Sequence, residues 1–150
     1  MTHIIRFTLR HIIFLLLNFL LAPYLSFAQC TVTVSNFPYS ENFETSNGNW
    51  VSGGTGADWA WGTPVKKTIN TAGSGLKCWI TGGLNKTAYN PGQNSWLKSP
   101  CFNFSNLKDP YIKFKVFWET AAIVDGANLQ YSTDNGATWL LAGSTNETNN

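Results

Sequence analysis

The feature that most constrains the fold is a two-residue alternation of apolar and polar side chains that never runs for long. Residues 112–118 give the clearest case, with apolar side chains at the even positions and Lys113 and Lys115 between them. Residues 31–34 and 76–81 alternate in the same way, and Gly, Asn, Pro and Ser separate these stretches. Period-two patterning bounded by turn residues predicts an all-β fold of short strands, with the apolar face of 112–118 in the core.

Residues 125–141 predict a β-hairpin around the sequence Y-S-T-D-N-G-A-T-W (131–139). Asn135 and Gly136 suit the positive φ angles of a tight turn. The Asp134 carboxylate and the Ser132 hydroxyl are expected to bind backbone N–H groups within it, and Trp139 to cover its base. The spacing S-x-D-x-G-x-x-W resembles the Asp-box of sialidases and other secreted β proteins, which implies a structural turn. Its structural residues are Ser132, Asp134, Gly136 and Trp139.

The first 28 residues have the pattern of a secretory signal peptide. Arg6 and Arg10 precede an apolar run over residues 12–21, and Ser26-Phe27-Ala28 offers the small-x-small exit that signal peptidase reads. The alternatives are an uncleaved anchor and a lipoprotein modified at Cys30. We therefore expect a domain over residues 29–150, a secreted or cell-surface location, and contact with the membrane only during export.

Charge and histidine content exclude several classes of function. Both histidines, His3 and His11, and both arginines lie in the predicted signal peptide, which leaves eight lysines against eight acidic residues. A domain with no net positive charge is a poor nucleic-acid binder, so we expect no nucleic acid as partner. Without histidine, the domain can build neither a Ser-His-Asp triad nor a histidine-rich zinc site.

All seven tryptophans lie beyond the predicted signal peptide. Such rings either fill the core of a β-sandwich or stack on the C–H face of a pyranose. We expect sugar stacking at two positions in a glycine-rich loop, where binding residues concentrate, and at one position opposite the apolar face of 76–80. These stacking candidates are Trp59, Trp61 and Trp79. The tryptophans assigned to packing are Trp96, Trp118 and Trp139.

Three cysteines are present, and an exported protein matures in an oxidising compartment. A bond between Cys78 and Cys101 would close a stabilising loop. Cys30 would then be left over, with a partner outside this sequence.

A wider resemblance covers residues 37–143. It rests on F-P-Y-S-E-N-F-E (37–44), G-N-W (48–50), D-W-A-W-G-T-P (58–64), S-W-L-K-S-P-C-F-N-F-S (95–105) and the stretch from Asp125 to Trp139. In this order they resemble the MAM-like, concanavalin A-type modules of large secreted and cell-surface proteins of the Bacteroidota. The resemblance implies a jelly-roll β-sandwich. Because the sequence offers too few strands to close two sheets, we expect the sandwich to be incomplete at the C-terminus.

The resemblance also implies a function. Related jelly rolls hold a structural calcium, for which Glu44 and Asp125 are the matching carboxylates, and carboxylate oxygens are ligands that Ca²⁺ takes. The E-x-D-x-x-E pattern of jelly-roll glucanases is missing. We therefore expect a non-catalytic adhesion or recognition module that binds an extracellular glycan or protein. The alternative is an accessory fragment of a larger secreted peptidase or glycoside hydrolase.

Overall fold

The computed structural model describes residues 30–143, so the predicted signal peptide and the polar stretch 144–150 lie outside the described residues. Residues 30–143 contain eight short strands and no helix, and hence no helix that could cross a bilayer. The strands are β1 (Thr33–Val34), β2 (Val51–Thr55), β3 (Ala60–Gly62), β4 (Cys78–Ile80), β5 (Asn94–Lys98), β6 (Cys101–Phe102), β7 (Gln130–Tyr131) and β8 (Leu140–Leu141).

The strands pair two by two. β1 lies parallel to β6, whereas β2 with β5, β3 with β4, and β7 with β8 are antiparallel. The expectation of a mostly β protein is confirmed for the part of the chain that the structure describes. Across residues 30–143 the four ladders stay separate two-stranded sheets, so the jelly-roll arrangement remains a prediction.

The best-buried side chains lie around β3 and β4. Ile80 on β4 is buried, and Pro64, which follows β3, is the fully buried side chain of largest volume. A second cluster of rings forms where the N-terminal segment meets β6: Phe37 contacts Phe104, Tyr39 contacts Phe102, and Phe102 stacks on Phe104, with centroids 5.4–5.7 Å apart. Edge-to-face and offset stacking are favourable for such rings. The core is thus small and divided between these two places.

The prediction that residues 112–118 form a core-facing strand is wrong. No backbone group of residues 111–119 makes a hydrogen bond to another described residue. Their even-numbered apolar side chains are 58–67 % exposed. The segment is held through side chains instead: the Lys115 ammonium donates to the Gly73 carbonyl (2.7 Å), and the Thr68 hydroxyl donates to Glu119 (3.2 Å). The alternation is present, but none of the eight described strands lies beside it.

The proposed bond between Cys78 and Cys101 is also corrected. Cys101 is bonded to Cys30, and Cys78 carries a free thiol on β4. The parallel pairing of β1 with β6 brings Cys30 close to Cys101. The Cys101 N–H donates to the carbonyl of Val32 (3.0 Å), and Val32 is two residues from Cys30. Burial raises the pKa of the Cys78 thiol. The bond closes 71 residues of chain, which contain β1 to β5.

Candidate functional site

Trp96 lies at the centre of the outward face of the β2–β5 ladder. It is directly opposite Gly53, and a β-carbon at Gly53 would collide with the indole, so the ring lies across the glycine. Almost half of the Trp96 side chain, 49 %, is exposed. Its indole N–H has no hydrogen-bond partner within residues 30–143. Trp96 therefore offers a supported ring with an unused polar edge to solvent.

The neighbours of Trp96 on this face are polar or small. Side chains on a strand alternate between faces, so Asn94 and Lys98 share the face of Trp96, and Thr55 and Val51 lie opposite them on β2. The Lys98 ammonium lies over the Trp96 ring, 5.7 Å from its centroid. We call this set, Val51, Gly53, Thr55, Asn94, Trp96 and Lys98, the Trp96 face. It combines one flat ring with hydroxyl, amide and ammonium groups.

The opposite face of the same ladder is fixed to the rest of the chain by hydrogen bonds. The Ser95 hydroxyl accepts from Trp59 Nε1 (3.0 Å) and from Gln93 Nε2 (2.6 Å), and the same amide nitrogen lies 2.9 Å from the Thr81 hydroxyl. These contacts tie β5 to the segments that carry β3 and β4. The Trp96 face is thereby held on a supported sheet.

Asp58 is the polar centre of this support. Its Oδ1 accepts from Gly82 N–H (2.7 Å) and from the Thr81 hydroxyl (3.0 Å), and its carbonyl accepts from Gly83 N–H (2.9 Å). Burial alone would raise the pKa of Asp58, but these hydrogen bonds outweigh burial and hold the pKa below its ordinary value. Asp58 is therefore a charged anchor for the turn after β4.

The second carboxylate oxygen of Asp58 is buried and has no hydrogen-bond partner among residues 30–143. The Lys86 ammonium is 4.0 Å from it, and the Asp58 side chain is only 8 % exposed. Lys66 adds a second cation nearby: it donates to the Thr81 carbonyl (2.6 Å), and burial lowers its pKa. Two cations beside one carboxylate disfavour a metal ion there. Glycoside hydrolysis commonly needs two paired carboxyl groups, and Asp58 has lysines instead.

The three tryptophans predicted to stack on sugars are placed differently from Trp96. Trp59, Trp61 and Trp79 are all partly buried, and their indole N–H groups donate to Ser95, to the Phe43 carbonyl (2.7 Å) and to the Asn47 carbonyl (3.1 Å). Trp61 and Trp79 face each other across β3 and β4, and the Lys77 ammonium lies 5.0 Å from the Trp61 ring. Each of these rings fastens a loop to a strand. Their stacking role stays a prediction.

The tryptophans that were assigned to packing are the more exposed ones. Trp118 is 67 % exposed and Trp139 is 45 % exposed, in addition to Trp96. The assignment to packing is therefore wrong for Trp118, whereas Trp96 packs on Gly53 and Trp139 is bonded to the turn through Gly136. Sequence reasoning missed Trp96 because residues 94–98 (N-S-W-L-K) do not alternate between polar and apolar side chains, so the strand has no two-residue signal. The available signal was Gly53 in G-N-W-V-S-G-G-T, since a glycine on a neighbouring strand leaves room for a ring.

The predicted calcium ligands are not brought together by any contact. Glu44 Oε1 accepts from the N–H groups of Lys77 and Leu76, both at 2.9 Å, and the bond from Lys77 and then that from Leu76 lower its pKa. Asp125 accepts from the Tyr89 hydroxyl (2.6 Å), which raises the pKa of Tyr89. Residues 30–143 contain no group of three His, Cys, Asp or Glu side chains suited to a metal. The two carboxylates do not fit a shared calcium site as they stand, so calcium stays a prediction.

The hairpin turn between β7 and β8 has a dense set of local hydrogen bonds. Asp134 accepts from the backbone N–H (2.8 Å) and the hydroxyl (2.6 Å) of Thr138, and from the Ser132 hydroxyl (2.7 Å). Gly136 N–H donates to the Ser132 hydroxyl, and Trp139 Nε1 donates to the Gly136 carbonyl (3.2 Å). The bonds from Thr138 and then Ser132 lower the pKa of Asp134 to about 2. All of these bonds lie within the turn, so Asp134 stabilises its shape.

Comparison with known proteins gives one partial likeness. The chain is 36 % identical over 78 residues to bacillopeptidase F of Bacillus subtilis (strain 168). That match covers 51 % of this chain and 5 % of the other protein. No family model matches the chain, and no solved structure matches it.

Proposed function

We propose that this chain is a non-catalytic recognition module of a larger exported protein, and that it binds carbohydrate through the Trp96 face. The observation that carries the proposal is the Trp96 ring itself, which lies on Gly53 with 49 % of its surface exposed and its N–H unpaired. Trp59, Trp61 and Trp79 already use their N–H groups internally. Trp96 is therefore the best-placed ring for a ligand.

The chemistry of the Trp96 face suits a sugar. A pyranose presents a C–H face that packs on an indole, while its hydroxyls need hydrogen-bond partners at the rim. Asn94 and Thr55 supply an amide and a hydroxyl beside the ring, and Lys98 supplies an ammonium donor. The face carries no carboxylate that could act as an acid or base, which favours binding over hydrolysis.

Export is supported by the signal-like residues 1–28 and by the disulfide. A bond between Cys30 and Cys101 is stable in oxidising compartments and rare in the cytosol. We place the domain at residues 29–150, outside the cell or on its surface. Within this proposal the short ladders are part of a MAM-like jelly-roll sandwich.

A role inside a larger protein is supported by the likeness to bacillopeptidase F. The match takes up 5 % of that protein, so what is shared is a small part of it. The second candidate function follows: the module accompanies a peptidase and presents substrate to it. In that case the ligand is a protein.

The test uses the purified chain, a panel of soluble polysaccharides and unfolded casein. We expect a polysaccharide to quench tryptophan fluorescence, and Trp96→Ala to remove the binding while circular dichroism stays unchanged. Trp139→Ala is the matched control, because Trp139 is 45 % exposed but its N–H is bonded to Gly136. Binding of casein alone, unaffected by Trp96→Ala, would favour the second function. Hydrolysis of any ligand by the chain would contradict a non-catalytic module.

A further inference from the structure

Residues 111–119 carry a continuous run of exposed apolar side chains. Ile112, Phe114, Val116 and Trp118 are 58–67 % exposed, and Phe117 is 66 % exposed. The backbone of the same segment makes no hydrogen bond within residues 30–143. A run of unpaired N–H and C=O groups flanked by aromatic and β-branched side chains is a template for strand addition. This surface is separate from the Trp96 face.

The side of the segment that contacts its own chain is the charged side. Lys115 bonds the Gly73 carbonyl and Glu119 accepts from Thr68. The Lys113 ammonium lies 5.3 Å from the centroid of the Tyr111 ring, within the segment itself. The backbone of the segment is thus available for pairing without displacing any backbone hydrogen bond within residues 30–143.

The sequence of the segment is complementary to itself when it runs antiparallel. With Val116 facing Val116 of a second copy, Lys113 faces Glu119 and Phe114 faces Trp118. Opposite charges and aromatic pairs directly across a ladder are favourable, and like charges there are unfavourable. A shift that sets Lys115 against Lys115 creates a like-charge pair. A shift the other way, with Phe117 facing itself, pairs Lys115 with Glu119. It also sets Phe114 against Thr120, so the Phe114–Trp118 pairs are lost, and it takes Lys115 from Gly73.

We propose that residues 111–119 pair with the same segment of a second copy of this chain, as an antiparallel two-stranded ladder centred on Val116. The pairing has two-fold symmetry, so each favourable contact occurs twice. It pairs the backbone groups along one edge of each segment, the edge that carries the Val116 N–H, and sets each Phe114 ring against the partner's Trp118. Lys113 and Glu119 fix the register.

Charge reversal in the purified chain tests the register, with analytical ultracentrifugation as the readout. We expect a dimer, and we expect Lys113→Glu or Glu119→Lys alone to raise its dissociation constant about tenfold, because each creates two like-charge pairs. Mixing the two single variants restores both opposite-charge pairs, so the mixture is expected to associate as tightly as the unchanged chain. A mixture as weak as its components would overturn the proposal.

Two further variants distinguish strand pairing from non-specific hydrophobic association. Val116→Pro removes a backbone N–H at the centre of the ladder, and it is expected to abolish the dimer without unfolding a segment that is unpaired in the monomer. Ile123→Lys is the control, since Ile123 is fully exposed but lies outside the ladder, and it should leave the dimer intact. A chain that stays monomeric, or pairs only with a strand of another protein, would overturn the proposal. Equal loss of association in both variants would also overturn it.

Discussion

Trp59 and Trp118 show how differently the two parts of the chain are built. Trp59 lies in an irregular glycine-rich loop, yet it is partly buried and bonded to Ser95. Trp118 lies in the most regular alternation of the sequence, yet it is 67 % exposed. We call residues 30–104 the body and residues 105–143 the arm. An alternating sequence indicates which face of a strand can be buried. Whether that face is buried depends on another segment packing against it.

The body is stabilised chiefly by polar contacts between segments. Its backbone ladders are two to five residues long, and side chains such as Asp58 and Glu44 bridge segments that are 24 to 33 residues apart in sequence. In the arm, β7 pairs only with β8, and the hydrogen bonds of the turn stay within five residues. A substitution that breaks a contact in the body should therefore destabilise the whole body, whereas a substitution in the turn of the arm should change only the turn.

The largest expected effect comes from the disulfide. Cys101→Ser opens a loop of 71 residues, and chain entropy predicts a loss of about 4 kcal/mol from the free energy of unfolding of the body. Denaturant unfolding followed by tryptophan fluorescence measures it. Signals of the arm, such as the Thr138 amide resonance, should keep their chemical shifts because the turn is closed by its own bonds.

Cys78→Ser is the matched control for that experiment. Cys78 has a free thiol, so its replacement should change the free energy of unfolding by less than about 1 kcal/mol. A large decrease in the free energy of unfolding of Cys78→Ser, with none in Cys30→Ser, would instead support the bond between Cys78 and Cys101 that the sequence predicts.

Asp58→Ala should have the next largest effect. It removes the acceptor of the Gly82 and Thr81 bonds at an 8 % exposed position, and hydrogen bonds to a charged group contribute about 1.5–3 kcal/mol. We expect a loss of about 3 kcal/mol, measured by urea unfolding at pH 7. Asp109→Asn, which neutralises an exposed carboxylate with no such bonds and keeps a residue type that suits the positive φ there, should have little effect. Equal losses in the two variants would show that the network around Asp58 contributes little to the body.

Glu44→Gln tests whether Glu44 binds calcium or only the neighbouring backbone. The carboxylate holds the N–H groups of Leu76 and Lys77, so the variant should lower the melting temperature of the body in the presence of chelator. If Glu44 serves only this purpose, added calcium will shift neither the variant nor the unchanged chain. An upward shift with calcium that both Glu44→Gln and Asp125→Asn abolish would establish the calcium site that the resemblance implied.

The sequence predicts local structure well where one segment contains all the interacting groups. The hairpin around Asp134 is such a case, because the acceptor, the donors and the positive φ angles of Asn135 and Gly136 lie within five residues. Trp96 was missed because its support, Gly53, is 43 positions away on another strand. The disulfide was missed for the same reason: only the parallel pairing of β1 with β6 reveals which cysteines meet. Contacts between distant segments are what a single sequence does not determine.

The smallest expected effect concerns the turn of the arm at low pH. The pKa of Asp134 is lowered from 3.8 to about 2, chiefly by Thr138, so the folded turn favours the charged carboxylate. A depressed folded-state pKa adds stability above pH 4, and that stability is lost as the pH falls towards 2. The Thr138 amide resonance should therefore titrate with a midpoint near 2. Thr138→Val removes the hydroxyl donor and should move the midpoint up towards 3.8, while tryptophan fluorescence of the body stays unchanged. A midpoint near 3.8 in the unchanged chain would mean that these hydrogen bonds do not close the turn in solution.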